Sequence, residues 1–302
     1  MSVQVQNGKA FERALAKALS VQLDIPIRGD SSVRDEPESS GVSTSSTRFE
    51  SAAALSVNHI CNRERHNLQR IEAEYIKFSS DAAGQKGDVR DVIVVGKHGE
   101  LGFSCKSNHA DYKHPRLSGR INFIKKWGID PEGCSEEYWS KVRPLFQELA
   151  DIRRESDGLA TWESLTDKPQ RFYWPVLEAF AKELERVMTS SNPSSTIACA
   201  QLVRYIIGVQ DFYKVICRPD QVELLAFNHG GSLEGKQTKY PDHLYKIDTK
   251  NGGQYSKTVV LNHGYSFNFR IHNKSKRVEP SLAFAVGAIG LPPEIYTHTI
   301  SF

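Results

Sequence analysis

The segment 91–106, DVIVVGKHGELGFSCK, constrains the fold more than any other part of the chain. Two β-rich runs flank a tight glycine-containing turn, which is the signature of an antiparallel hairpin. A two-residue turn within Lys97-His98-Gly99-Glu100 predicts Lys97 opposite Glu100, Val95 opposite Gly102, Ile93 opposite Ser104 and Asp91 opposite Lys106. Side chains alternate along a strand, so Asp91, Ser104 and Lys106 share one face, and Val92, Val94, Leu101, Phe103 and Cys105 share the other. Opposed Cβ atoms in such a pair stand about 5 Å apart. A carboxylate and an ammonium are therefore expected side by side on a rigid platform. On spacing alone, a structural Asp–Lys pair at a sheet edge is the commoner explanation.

Around this hairpin, helical periodicity marks 7–20 and 52–69, with a polar, aperiodic loop over 28–51 between them. A short strand is expected at 74–78. A mostly helical stretch runs to about residue 187, punctuated by Pro131, Pro144, Pro169 and Pro175. A loop at 190–195 precedes an apolar helix at 196–207 and strands at 212–216 and 222–227. From Gly230 onward, glycine-rich turns separate short alternating runs. This order predicts an α/β protein: a mixed sheet core flanked by helices over 1–229, a helical insertion at about 128–195, and a β-rich C-terminal region over 230–302 packed on the core.

No run approaches 18 uninterrupted apolar residues, so no membrane span is expected. The first residues lack a basic start followed by an apolar stretch, so no secretion signal is read there. Five cysteines, odd in number and scattered, form no Cys-x-x-Cys pair and point to free thiols in a reducing compartment, hence to the cytoplasm. The net charge of +3 names no partner, but its distribution is uneven. Residues 106–127 carry six Lys/Arg against one Asp, and 236–277 carry nine against two. Between them, 130–187 carries eight basic and thirteen acidic residues. Two basic stretches of this kind can build a phosphate-facing surface, or can simply be solvated.

An aspartate and a lysine held together suit metal-assisted phosphodiester hydrolysis. The carboxylate binds a hard cation, with Mg²⁺ the expected one. The lysine orients the attacking water or stabilises developing charge. Glu100 lies four residues from Ser104, roughly 13 Å along a strand, and falls outside such a site. Asp88 joins it as a metal ligand only if GDVRD bends, and otherwise caps the strand entry. Asp91 is the stronger candidate.

GDVRDVIVV…ELGFSCKSNHADYKHPRLS resembles the active-site region of the HaeIII-type restriction endonucleases, a branch of the PD-(D/E)XK nuclease superfamily. NGKAFE, LVRYIIGVQDFYKVI and FRIHNKSKRVEPSLAF are similar to further blocks of that family, in the same order. The resemblance implies a helix, a three-stranded antiparallel sheet, a helix and another strand, with Asp91 opening the second strand and Lys106 as the catalytic lysine. Ser104 stands where a second carboxylate is usual, a departure that calls for another acid. Glu12, in NGKAFE, matches the place where many of these nucleases carry one, and the backbone carbonyl of Cys105 is a further ligand by analogy. The resemblance also implies cleavage of double-stranded DNA at GGCC to blunt ends, with a cognate DNA methyltransferase protecting the host's own sites.

Asn108, His109, Lys113, His114 and Arg116 follow Lys106 directly and are candidates for DNA contact. Arg270, His272, Asn273 and Lys274 form a second polar-basic cluster, in which Arg270 and His272 alternate along an expected strand. A palindromic target favours a homodimer, although a monomer nicking in sequence serves as well. Two alternatives remain at this level. One is a structure-specific resolvase or repair nuclease of the same superfamily, and the other is an inactive DNA-binding module.

Overall fold

The computed structural model describes residues 3–29, 43–80, 87–108, 111–189, 194–248 and 255–302. In chain order the first elements are α1 (Val3–Leu23), α2 (Ser43–Arg63), α3 (Arg65–Ile71), β1 (Ala73–Phe78), β2 (Val92–Gly96) and β3 (Gly99–Ser107). Then come β4 (Arg116–Leu117), α4 (Phe123–Lys126), α5 (Glu136–Glu155), α6 (Trp174–Thr189) and α7 (Ser194–Ile207). The chain ends in strands: β5 (Phe212–Cys217), β6 (Gln221–Phe227), β7 (Leu244–Asp248), β8 (Ser256–Leu261), β9 (Ser266–His272), β10 (Leu282–Gly290) and β11 (Tyr296–Ser301). It is an α/β chain with a mixed sheet and a β-rich C-terminal region, the class its sequence predicts.

Two compact units divide it. The first comprises residues 1–110, 208–239 and 293–302, and the second comprises 111–207 and 240–292. This differs from the expected cut after residue 229. The helical insertion groups with the C-terminal strands, and the last strand returns to the first unit. β3 and β5 explain the arrangement. They pair in parallel, with Ser104 aligned on Lys214, and parallel neighbours need a long crossover. Residues 111–207 are the second-unit part of that crossover.

In the first unit the sheet order is β1-β2-β3-β5-β6-β11, antiparallel everywhere except β3-β5. Phe11, Leu15, Ala16 and Leu19 make one helical face of α1, and Phe49, Ala52, Ala53, Val57 and Ile60 one face of α2. Both faces pack into a single core with Val92, Val94, Leu101, Phe103, Cys105, Tyr213 and Val215 from the sheet. The hydrophobic face predicted for the hairpin is therefore the buried one.

The hairpin register differs from the expected one by two. Gly96 pairs with Gly99, Ile93 with Gly102 and Val92 with Phe103, so the turn residues are Lys97 and His98. The cause lies in the preceding segment: the amides of Lys97 and His98 donate to the carbonyls of Glu72 and Ile71. A Cβ on Gly96 would stand 2.2 Å from the Ile71 carbonyl oxygen, so only glycine allows this approach. A shift of two preserves which face each side chain occupies. Two further expectations are revised. α2 begins at Ser43, inside the stretch read as loop, while 30–42 lies outside the described residues. Pro144 sits within α5 without ending it, in a helix capped at its start by the Ser135 hydroxyl.

The second unit's sheet, β4-β10-β9-β8-β7, is wholly antiparallel. Phe267, Phe269, Ile271, Phe284 and Val286 form its buried face, and Phe180 of α6 packs on Phe269 and Phe284. Its other face carries Asn268, Arg270 and His272 on β9, beside the small Ala283, Ala285 and Gly287 of β10.

A buried carboxylate ties the first unit together. Glu64, wholly shielded from solvent, accepts hydrogen bonds from the Tyr213 hydroxyl (2.6 Å), the Asn67 side-chain amide (2.9 Å) and the Glu234 backbone amide (3.1 Å). Removing one donor leaves a desolvated charge short of a partner. Tyr213→Phe should therefore lower unfolding stability by about 1–3 kcal/mol, read as a lower urea midpoint at unchanged slope. An unchanged midpoint would contradict this account of Glu64.

Candidate active site

Asp91 lies one residue ahead of β2. Its backbone amide donates to the Phe103 carbonyl at 2.7 Å, continuing the β2-β3 ladder by one bond. Beyond that bond β2 offers no further backbone acceptor to β3. The Asp91 side chain takes over: Oδ2 accepts the Cys105 backbone amide at 2.7 Å, the Ser104 hydroxyl at 3.3 Å and the Lys106 ammonium at 3.3 Å. Among the described residues no donor engages Oδ1. Asp91 and Lys106 keep about a quarter of their side-chain surface exposed, at 26% and 23%, so the pair opens to solvent.

α1 brings a second carboxylate. Phe11 and Leu15 turn into the core, and Glu12, one step round the helix, emerges at its margin with 12% of its side chain exposed. Lys9, one turn back, donates to it at 2.9 Å. Burial raises the Glu12 pKa, the negative charge of Asp91 raises it further, and Lys9 and Lys106 oppose both. Glu12, Asp91 and Lys106 thus share one electrostatic neighbourhood. Cys105 contributes its backbone here, because burial together with Asp91 and Glu12 pushes its thiol pKa well up and leaves it a protonated core side chain.

The donor set is hard: carboxylate oxygens of Asp91 and Glu12, with the Ser104 hydroxyl beside Oδ2. No group of three or more His, Cys, Asp or Glu side chains gathers among the described residues. Two carboxylates fit Mg²⁺, which dehydrates reluctantly and takes few protein ligands. A buried carboxylate whose proton affinity is raised by a neighbouring negative charge, as that of Glu12 is by Asp91, also marks a place where a cation is favoured.

Asp88 is engaged elsewhere. It accepts the Arg90 backbone amide at 3.0 Å and pairs with the Arg90 guanidinium at 2.8 Å. Arg90 also pairs with Glu100 at 2.9 Å, and Glu100 with Lys77 at 2.8 Å. The Arg90 stem lies over Gly102, where an added Cβ would come within 2.1 Å of its Cδ. This network pins the chain immediately before Asp91. Sequence reasoning passed over Arg90, although its signal was present: a glycine inside a strand marks close approach by another group.

The candidate DNA contacts fall in different places. Asn108 belongs to the first unit, exposed at the end of β3 with φ 63°, its amide bonded to the Cys217 carbonyl and its own carbonyl to Arg218. His109 lies outside the described residues. The remainder are in the second unit. Lys113 lies 4.2 Å over the Tyr205 ring, and burial lowers its pKa to about 8. Arg116 is paired with Glu279 at 2.7 Å, and Asn273 accepts the Tyr173 hydroxyl at 2.9 Å. His114 and His272 meet edge to face, with ring centres 5.5 Å apart. Arg270 and Lys274 are exposed.

A model of the HaeIII restriction endonuclease family matches residues 8–292. The chain is similar to the type II restriction enzyme HaeIII of Haemophilus aegyptius, at 29% identity over 310 residues that cover 96% of this chain and 95% of that one. No solved structure matches. No helix among the described residues is long and apolar enough to cross a membrane.

The Arg90 network carries a pH dependence. Burial disfavours the charged forms of Asp88 and Glu100, but the bonds and charges of Arg90 and Lys77 outweigh it and lower both pKa values. A carboxylate whose folded pKa is depressed contributes stability that is complete above its unfolded pKa and is lost as pH falls through the folded one. Between about pH 5 and pH 3, Tm of Arg90→Met should therefore fall less steeply than that of the wild type. Parallel Tm curves would remove this network from the account.

Proposed function

The chain belongs to the HaeIII restriction endonuclease family, whose members are DNA-cleaving enzymes, and from that premise we propose that it hydrolyses double-stranded DNA at a short specific site through Asp91 and Lys106. The observation that carries this reading is the convergence of the Lys106 ammonium, the Cys105 amide and the Ser104 hydroxyl on one oxygen of Asp91, with Glu12 coupled to it electrostatically.

In this reading Asp91 and Glu12 would hold Mg²⁺, with the Cys105 carbonyl as a further ligand and the Ser104 hydroxyl beside them. When bound, it polarises the scissile phosphate and acidifies a water. The protein's own groups do the rest. The Cys105 amide fixes the Asp91 carboxylate through Oδ2, and no donor among the described residues engages Oδ1. Lys106 orients the attacking water and stabilises charge building on the phosphate oxygens. Asp88 is assigned no ligand role, because both its oxygens serve Arg90.

The resemblance points to GGCC as the site, to blunt ends, and to a methyltransferase that protects the same sequence in the host. A palindromic site suits a two-fold dimer in which each subunit cuts one strand. Asn108, His109 and the second-unit residues Lys113, His114, Arg116, Arg270, His272, Asn273 and Lys274 are the proposed DNA-contacting set. Arg116 and Asn273 act there as supports rather than free readers, given their internal partners.

Digestion of unmethylated linear plasmid DNA with Mg²⁺ should give discrete fragments, and run-off sequencing should place every end at one short sequence. Asp91→Ala should abolish cleavage while leaving duplex binding largely intact. Lys106→Ala should lower turnover about 10²–10³-fold, the usual cost of one group that stabilises transition-state charge. A smear of unrelated ends would favour a structure-specific nuclease, and undiminished cleavage by Asp91→Ala would remove Asp91 from its role.

A further inference from the structure

The five-stranded sheet of the second unit has one face in the aromatic core and one face whose central strand is polar. Its pairing fixes what that second face presents. Asn268, Arg270 and His272 alternate along β9 with the buried Phe267, Phe269 and Ile271. Across the ladder to β10 they stand opposite Gly287, Ala285 and Ala283. On β8, Thr258 and Ser256 stand opposite Asn268 and Arg270. Three polar side chains on a central strand are therefore flanked on one side by the smallest residues available, of which Ala283 and Ala285 are themselves buried while Arg270 stays exposed.

The charge and bonding of these residues set them apart from the other basic groups of the unit. Arg270 is exposed, and among the described residues no hydrogen bond or ion pair engages its guanidinium. Its neighbours Lys257 and Arg116 are by contrast committed, the first to Glu178 and the second to Glu279. On either side of Arg270, two residues away, the Oδ1 atom of Asn268 and the Nε2 atom of His272 are buried without any partner. Native proteins satisfy nearly all such atoms, so two orphans on one strand face are informative. Neither side chain gives up a hydrogen bond at that atom when it turns outward. Asp111 completes the strip: its Oδ1 lies 3.4 Å from where a Gly287 Cβ would be. The face thus offers a free guanidinium, an amide and an imidazole with unused capacity, and a carboxylate. Of these, a guanidinium reads guanine O6/N7 and a carboxylate accepts from cytosine N4.

We propose that this face of the sheet, laid against the major groove, reads base identity, with Arg270 as the guanine-reading residue and Asn268, His272 and Asp111 as its supporting contacts. The proposal rests on the DNA-cleaving reading above and adds the residues that set its sequence choice. Lys274, exposed at the end of the same strand, contacts phosphate and carries no sequence information.

The test compares cleavage of a duplex bearing the site with cleavage of duplexes changed at one base pair, for the wild type and for Arg270→Ala, Arg270→Lys, Asn268→Ala and Lys274→Ala. Arg270→Ala should lose about ten- to a hundred-fold in kcat/KM on the site and much less on one singly changed duplex, so that discrimination at that base pair collapses. Arg270→Lys should not rescue it, since an ammonium cannot form the bidentate fork. Asn268→Ala should give a smaller loss in the same direction. Lys274→Ala should weaken all duplexes alike and reduce the salt dependence by about one counterion. Unaltered discrimination by Arg270→Ala and Arg270→Lys, in a wild type that cuts at a fixed site, would overturn the proposal and leave the nuclease reading standing. A wild type that cuts no DNA would overturn the nuclease reading itself, and this proposal with it.

Discussion

The short hydrogen bond from the Cys105 backbone amide to the Asp91 carboxylate, at 2.7 Å, is the interaction on which the site depends. It arises where the β2-β3 ladder ends. An amide that needs an acceptor finds a side chain instead of a backbone carbonyl, and that side chain loses its freedom. With Oδ2 fixed, no donor among the described residues engages Oδ1, and Lys106, one residue beyond Cys105, reaches the fixed oxygen. Because β3 is a central strand paired on both sides, and the Arg90 network holds the chain just before Asp91, the geometry rests on the most constrained part of the first unit. The core beneath it, built from α1, α2 and the inner sheet face, also sets where Glu12 emerges.

A site with one fixed carboxylate, one coupled carboxylate and a serine in the usual place of another acid has fewer negative groups than its superfamily counterparts. The shortage of charge is offset by order. Ser104, Cys105 and Lys106 are all bonded to one oxygen of Asp91, and among the described residues its other oxygen has no donor to displace. Preorganisation of this kind is the commonest source of transition-state stabilisation in hydrolytic sites. The proposed reading of bases falls to a different surface, where the Arg270 guanidinium is exposed and uncommitted.

Much of this was legible in the chain, and the parts that were not have physical causes. The alternation in DVIVV and ELGFSCK assigned the buried and polar faces of the hairpin, because a two-residue slip changes register without changing face. The register itself depended on Ile71 and Glu72, whose carbonyls catch the turn amides, and no pattern within the hairpin announces a contact with an earlier segment. Pro144 reads as a helix breaker in isolation, yet α5 continues through it, because packing of Tyr138, Trp139, Val142, Phe146 and Leu149 outweighs one lost bond. The return of β11 to the first sheet was invisible, since a short polar strand of Thr, His and Ser carries no signal of its partner. Glu12 came only from the resemblance, as a lone helix glutamate is otherwise unremarkable. Asn268 shared its alternation with Arg270 and His272 and could have been taken with them. Its orphaned oxygen could be seen only in three dimensions.

The most direct measurement is of the cation itself. Mn²⁺ added to the protein, with a duplex bearing the site present, can be followed through loss of the free-ion paramagnetic resonance signal. The account predicts saturable uptake by the wild type, none above background by Asp91→Ala, and clearly weakened uptake by Glu12→Gln. Uptake by Asp91→Ala that matched the wild type in affinity and stoichiometry would contradict it.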